Sequence, residues 1–182
     1  MSYERGLRMD AERLIGVSRH ALAKSADALE VIAEAWQAQA LAQAIGSQLA
    51  SAGPKELRGE ARELGEAGGR GCGLPDQPGL RLGDVRALQL TGVSDPRGTL
   101  TALGVLLGEV GIALVAVACD TDEEGLYWQC IEAMDAADES NDRVGGILRR
   151  LAARERERER EKERARDRES GWEWEWDGPT VR

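Results

Sequence analysis

From Tyr127 to Leu151 the chain repeats a spacing of three then four, through Tyr127, Cys130, Met134, Ala137, Asn141, Val144, Leu148 and Leu151. Residues three and four apart share one side of an α-helix, so the pattern predicts a helix that buries a stripe against its neighbours. Asn141 lies in that stripe. A polar residue in such a register either fixes alignment and oligomeric state or marks a turn open to water.

Upstream the same rhythm predicts further helices. Asp10 opens the first, with Leu14, Ile15, Ser18, Ala21 and Leu22 on one face and an end near Ser25. Asp27 and Glu30 form a capping box for the second, which runs to about Ala52. Its stripe of Ala28, Val31, Ala35, Ala38, Ala42, Ile45 and Leu49 is mostly alanine and admits close approach, with Ile32 and Trp36 as bulk beside it. Gly53 and Pro54 separate it from a shorter charged helix through Leu57, Ala61 and Leu64. Six Gly and two Pro between Gly68 and Gly83 predict a long loop. A short helix is expected around Val85 and Leu88, although LRLGDVRALQL also reads as a strand.

Asp95 and Pro96 then open a strongly apolar helix. Leu100, Leu103, Leu107, Val110, Leu114 and Val117 form one stripe, and Gly104, Gly108 and Gly111 another. A helix apolar all round belongs at the centre of a bundle or in a membrane, and residues 99–119 are long enough to span. Glu109 at its middle costs about 2.5–3.5 kcal/mol on insertion, and no basic cluster flanks it. The expectation is a buried central helix whose glycines pack against the alanine-rich second helix.

These elements predict an all-α fold, an antiparallel bundle of about five helices with a central apolar helix and a charged C-terminal helical extension. The expected organisation is a flexible stretch over 1–9, the bundle over 10–153, a low-complexity charged segment over 154–170 and a Trp-rich tail over 171–182. From Arg154 to Glu169 eight Lys and Arg face seven Asp and Glu, which suits a solvated continuation of the last helix. Trp172, Trp174 and Trp176 share one face if extended, as a linear docking element would, or form a disordered end.

Composition agrees with this picture. Among 182 residues, 42% are hydrophobic, with no Phe and two Tyr, which suits an aliphatic helical core. The net charge of -9 argues against nonspecific nucleic-acid binding. Between Asp120 and Asp142 nine Asp and Glu stand with no Lys or Arg, a face that repels nucleic acid and anionic lipid. Cys72, Cys119 and Cys130 form no C-x-x-C pair, and the N-terminus lacks the apolar run of an export signal, so a cytoplasmic protein is expected.

No catalytic, cofactor or metal site emerges from the motifs. His20, the single histidine, points away from the apolar face of its helix, which argues against a Ser-His-Asp triad and a di-iron site. GGRGCG from Gly68 lacks the G-K-[ST] and preceding strand of a phosphate loop. Glu60 with Glu63 and Glu132 with Asp135 are pairs of the type that hold Mg²⁺ in all-α nucleotide hydrolases, and they sustain that alternative only if they converge.

The phrases AERLIGVSRHALA, EAWQAQALAQAIGSQLA, LRGEAREL and TDEEGLYWQCIEAMDAADESNDRVGGILRRLA resemble an uncharacterised family of small actinobacterial proteins, across roughly Met9 to Ala152. The resemblance implies a cytoplasmic helical protein and no known site residues. The expected function is noncatalytic, through contacts with a protein partner or a second copy. Asn141, Trp172, Trp174 and Trp176 are the candidate contact residues, and membrane association through the 99–119 helix is a further alternative.

Overall fold

A computed structural model of the chain describes residues 9–72 and 85–172. The expectations for 1–8, for most of the glycine-rich loop and for Trp174 and Trp176 fall outside those residues. The described chain is all-α, with five helices and no strand, packed as a bundle. It divides into two compact units, Met1–Leu148 and Arg149–Arg182.

Local chemistry sets the helix ends. Helix α1, Ala11–Lys24, follows Asp10, whose carboxylate makes no cap bond and instead accepts from the Ser94 hydroxyl at 3.0 Å. Helix α2, Ala28–Ala52, starts at the expected box: Asp27 accepts from the Glu30 N–H at 2.9 Å, and Glu30 reaches back to the Ala26 N–H at 2.6 Å. Gly53 and Pro54 end α2, a 3-10 turn spans Lys55–Leu57, and helix α3 follows over Arg58–Cys72. Helix α4, Pro96–Asp120, has Pro96 in its first turn and Asp95 accepting from the Arg97 N–H at 3.0 Å. Helix α5 spans Glu124–Trp172.

Helix α2, rather than α4, holds the central place in the first unit. From Gln37 to Ala42 six successive residues are buried, so the middle of α2 is enclosed on every side. Small residues permit this. A Cβ built on Gly46 would stand 2.4 Å from the Gly65 nitrogen and 2.7 Å from the Ala61 carbonyl oxygen, and one on Gly68 would stand 2.5 Å from the Gln43 nitrogen. Backbone therefore meets backbone where α2 crosses α3. The glycines expected to serve this purpose, on α4, do not: nothing lies within 4 Å of a Cβ at Gly108 or Gly111. The run GGRGC is likewise helix rather than loop, because Gly68 and its neighbours are the surface that α3 presses onto α2.

Helix α4 contributes its predicted stripe to the core, with Leu100, Leu103, Leu107, Val110 and Leu114 buried. Its opposite side is bare. Val105 is 44% exposed, Ile112 74% and Val115 50%. On α5 the buried line is Cys130, Ala137, Ser140, Val144 and Ile147. The predicted seam is thus correct at Cys130, Ala137 and Val144 but rotated elsewhere, and Tyr127 and Asn141 are exposed. The polar residue in the buried register is Ser140.

The segment after the undescribed stretch is short 3-10 helix, Arg86–Gln89, ending in one bridge between Leu90 and Met9. It is fastened by Arg86, whose guanidinium donates to both oxygens of Glu34 at 2.6 and 2.5 Å and to the Ser18 hydroxyl at 3.1 Å. The Arg86 N–H donates to Gln37 Oε1 at 3.0 Å. The paired side chains are only 20% and 13% exposed, so water competes little for them. Replacing Arg86 by Met should therefore lower stability by about 1.5–3 kcal/mol in urea unfolding, with helical content retained.

In the second unit, helix continues from Arg149, and the charged run is exposed from Glu155 to Glu169.

Candidate functional site

Two surface features of the first unit stand out, and each follows from how the helices are seated. The first is a cleft of about 360 Å³ among α2, α3 and α5. Ile32, Ala35 and Trp36 of α2 and Ala133 and Ala136 of α5 give it apolar walls, and Ala67 and Gly71 of α3 leave it open. Gln39 lies at its base, 3% exposed. Its Oε1 accepts from the buried Ser140 hydroxyl at 2.8 Å, and its Nε2 has no hydrogen-bond partner. Carboxylates of Glu132, Asp135 and Glu139 line the mouth with Arg70, which is paired to Glu139 at 2.5 Å.

The second is the bare side of α4. At helical spacing, Thr101, Val105, Gly108, Ile112, Val115, Ala116 and Cys119 run along it without a charge. At 1.5 Å per residue this stripe is about 27 Å long. Glu109 sits at its border, where Arg19 of α1 grips it through two bonds of 2.8 and 2.5 Å. That hydrogen-bonded guanidinium holds the Glu109 carboxyl below its ordinary range, and the Arg19 value rises in turn. On the other border, Gly104 faces Asn141 and Val144 of α5.

The residues singled out from the sequence are dispersed. Asn141 lies at the α4 border, exposed rather than in the core. Trp172 closes α5, while Trp174 and Trp176 lie outside the described residues. The four carboxylates of the Mg²⁺ alternative do not converge. Glu63 is held by Arg143 at 2.7 Å, Glu132 and Asp135 line the cleft, and no metal-type cluster of three His, Cys, Asp or Glu occurs among the described residues. His20 is exposed on α1. Cys119 is exposed, and Cys130 is buried, which pushes its thiol up.

Sequence reasoning missed Gln39 and Ser140. A signal existed: Gln37 and Gln39 interrupt the alanine run AEAWQAQALAQA. The partner could not be read, since it stands 101 positions away.

Neither a curated protein nor a solved structure matches this chain. Residues 9–150, well over half of its length and ending before the charged run, match one protein family. The chain belongs to that family, DUF6099, a family of unknown function.

Proposed function

We propose that this protein is a noncatalytic docking partner that receives an amphipathic helix of another protein on the bare side of α4. The observation that carries this reading is the exposure of Val105, Ile112 and Val115 along one uncharged stripe. Monomeric proteins rarely leave a contiguous apolar strip in water, and such strips mark contact sites. The strip has the length and straightness of a helix. The open space at Gly108 and Gly111 lets a second helix approach closely, as small residues do at crossings.

Charge supplies the rest of the specification. The α5 flank next to the stripe carries Asp138 and Asp142, and on the α1 flank Arg19 is already paired to Glu109. A partner helix with Leu-type residues on one side and Lys or Arg along its edge satisfies both features. The same reading puts the protein in the cytoplasm, where Cys119 and Cys130 persist as thiols. Self-association through the Tyr127 to Leu151 seam is less favoured, because Cys130, Ala137 and Val144 already fill the core.

A membrane reading has one observation of its own. The α4 helix has mean hydropathy 2.3 over its most apolar window, of which 28% is buried. The acidic α5 beside it opposes contact with anionic lipid, and the Arg19–Glu109 pair at its border disfavours transfer out of water.

Two synthetic helices with the same leucine stripe, one flanked by Lys and one by Glu, separate these readings by titration against the labelled full chain. The Lys-flanked peptide is expected to bind, at least about tenfold tighter than the Glu-flanked one. Ile112→Asp should abolish binding. Equal binding of both peptides, or indifference to Ile112→Asp, overturns the proposal. So does flotation of the protein with phosphatidylcholine vesicles, or a dimer by light scattering that Ile112→Asp dissolves.

A further inference from the structure

The cleft among α2, α3 and α5 is separate from the docking stripe and has its own unmet chemistry. Gln39 is 97% removed from water, yet its amide nitrogen donates to nothing. Turning the amide over only exchanges which end is left without a partner, since the Ser140 hydroxyl can satisfy one of the two. Folded proteins seldom keep a buried polar atom unmatched unless something else completes it. Here the residue that carries the unmatched group lines the cleft.

The remaining walls describe what would complete it. Ile32, Trp36 and Ala136 present an apolar and aromatic surface above Gln39. At the mouth Glu132 and Asp135 stand three residues apart on α5, both exposed and therefore on one helical face. Arg70, the one basic residue among the described residues that line the cleft, is committed to Glu139. With the Ser140 hydroxyl donating to Gln39 Oε1, the cleft runs from a hydrogen-bond donor through an apolar middle to a negative rim. Its volume of about 360 Å³ lies at the small end of the roughly 300–1,000 Å³ range of small-molecule sites.

We propose that this cleft binds a small organic cation bearing a carbonyl-type acceptor. The carbonyl oxygen accepts from Gln39 Nε2, a flat or aliphatic body lies against Trp36 and Ile32, and the ammonium group lies at Glu132 and Asp135. Charge at one end and an acceptor at the other are both required, which sets this class apart from simple hydrophobes and from metal ions.

The test uses the full chain labelled with ¹⁵N and 4-(aminomethyl)benzamide as probe, following the Trp36 indole and Gln39 side-chain resonances. Each resonance is identified by its loss in Trp36→Phe or Gln39→Met. Saturable shifts are expected with a Kd at or below about 1 mM, as befits a fragment of this size. 4-Methylbenzamide, without the charge, and 4-methylbenzylamine, without the acceptor, should each bind at least about fivefold more weakly, the effect of one lost polar contact. Gln39→Met should weaken the two amides and spare 4-methylbenzylamine. The paired surface changes Glu132→Gln and Asp135→Asn should weaken the two amines and spare 4-methylbenzamide. They carry the test if Gln39→Met fails to fold. Absence of saturation, equal binding of the three compounds, or binding unmoved by these variants overturns the proposal. Because Ile112 lies outside the cleft, the titration should be unchanged in Ile112→Asp, which keeps this outcome distinct from that of the docking stripe.

Discussion

Gly46→Ala is expected to destabilise the bundle by about 3 kcal/mol, the upper end of what overpacking costs, although it adds only one methyl group to a helix. The new Cβ would sit 2.4 Å from the Gly65 nitrogen and 2.8 Å from the Gly65 Cα. Both atoms are backbone, so no side chain can swing aside; α3 must shift as a body and lose its contacts with α2. The same change at Gly108 or Gly111 should do the opposite. Nothing lies within 4 Å there, and the gain in helix propensity is worth roughly 0.5–1 kcal/mol. Urea unfolding of the three variants measures the contrast directly. If all three behave alike, the α2–α3 crossing is not as close as described.

The two faces of α4 should differ as sharply. Leu107 is 1% exposed and packed in the core, so Leu107→Ala should remove about 2–5 kcal/mol through lost burial and a residual cavity. Ile112 is 74% exposed, and Ile112→Asn should change stability by less than about 0.5 kcal/mol. Thermal and urea unfolding give both values. A large loss at Ile112 would mean that the bare side is covered in solution, and a small loss at Leu107 would displace the core from the α4 leucines.

The helices themselves were legible because short-range chemistry fixes them. Asp27 with Glu30, and Asp95 with Pro96, mark starts through bonds that reach only three residues, so the residues alone identify them. Which way a helix faces is a longer-range matter. On α5 the positions Cys130, Ala137 and Val144 belong to two possible stripes, one continued by Tyr127, Met134 and Asn141 and the other by Ala133, Ser140 and Ile147. Apolar content favours the first. Gln39 selects the second, because its buried amide needs the Ser140 hydroxyl, and no local pattern records that need.

Glycine misled in both directions for one reason. In water a glycine weakens a helix by about 1 kcal/mol relative to alanine, which makes GGRGC read as a loop. Against α2 that penalty is outweighed by the close approach a missing Cβ permits, and the segment is helical. On α4 the glycines imply a tight crossing that does not form. Composition reports where backbone could be approached, and only the partner's placement decides where it is. The cleft was hidden by the same limit, since its floor, walls and rim come from three helices distant in sequence.

The contact between α2 and α3 also bears on how the molecule assembles. These helices follow one another with only the Gly53–Leu57 connection between them, so their tightest crossing closes a short loop and surrenders little chain entropy. A hairpin of that kind can organise before distant segments arrive, and α1, α4 and α5 then settle on a template already in place. The glycines that bring two backbones together thereby favour an early step on the route to the fold.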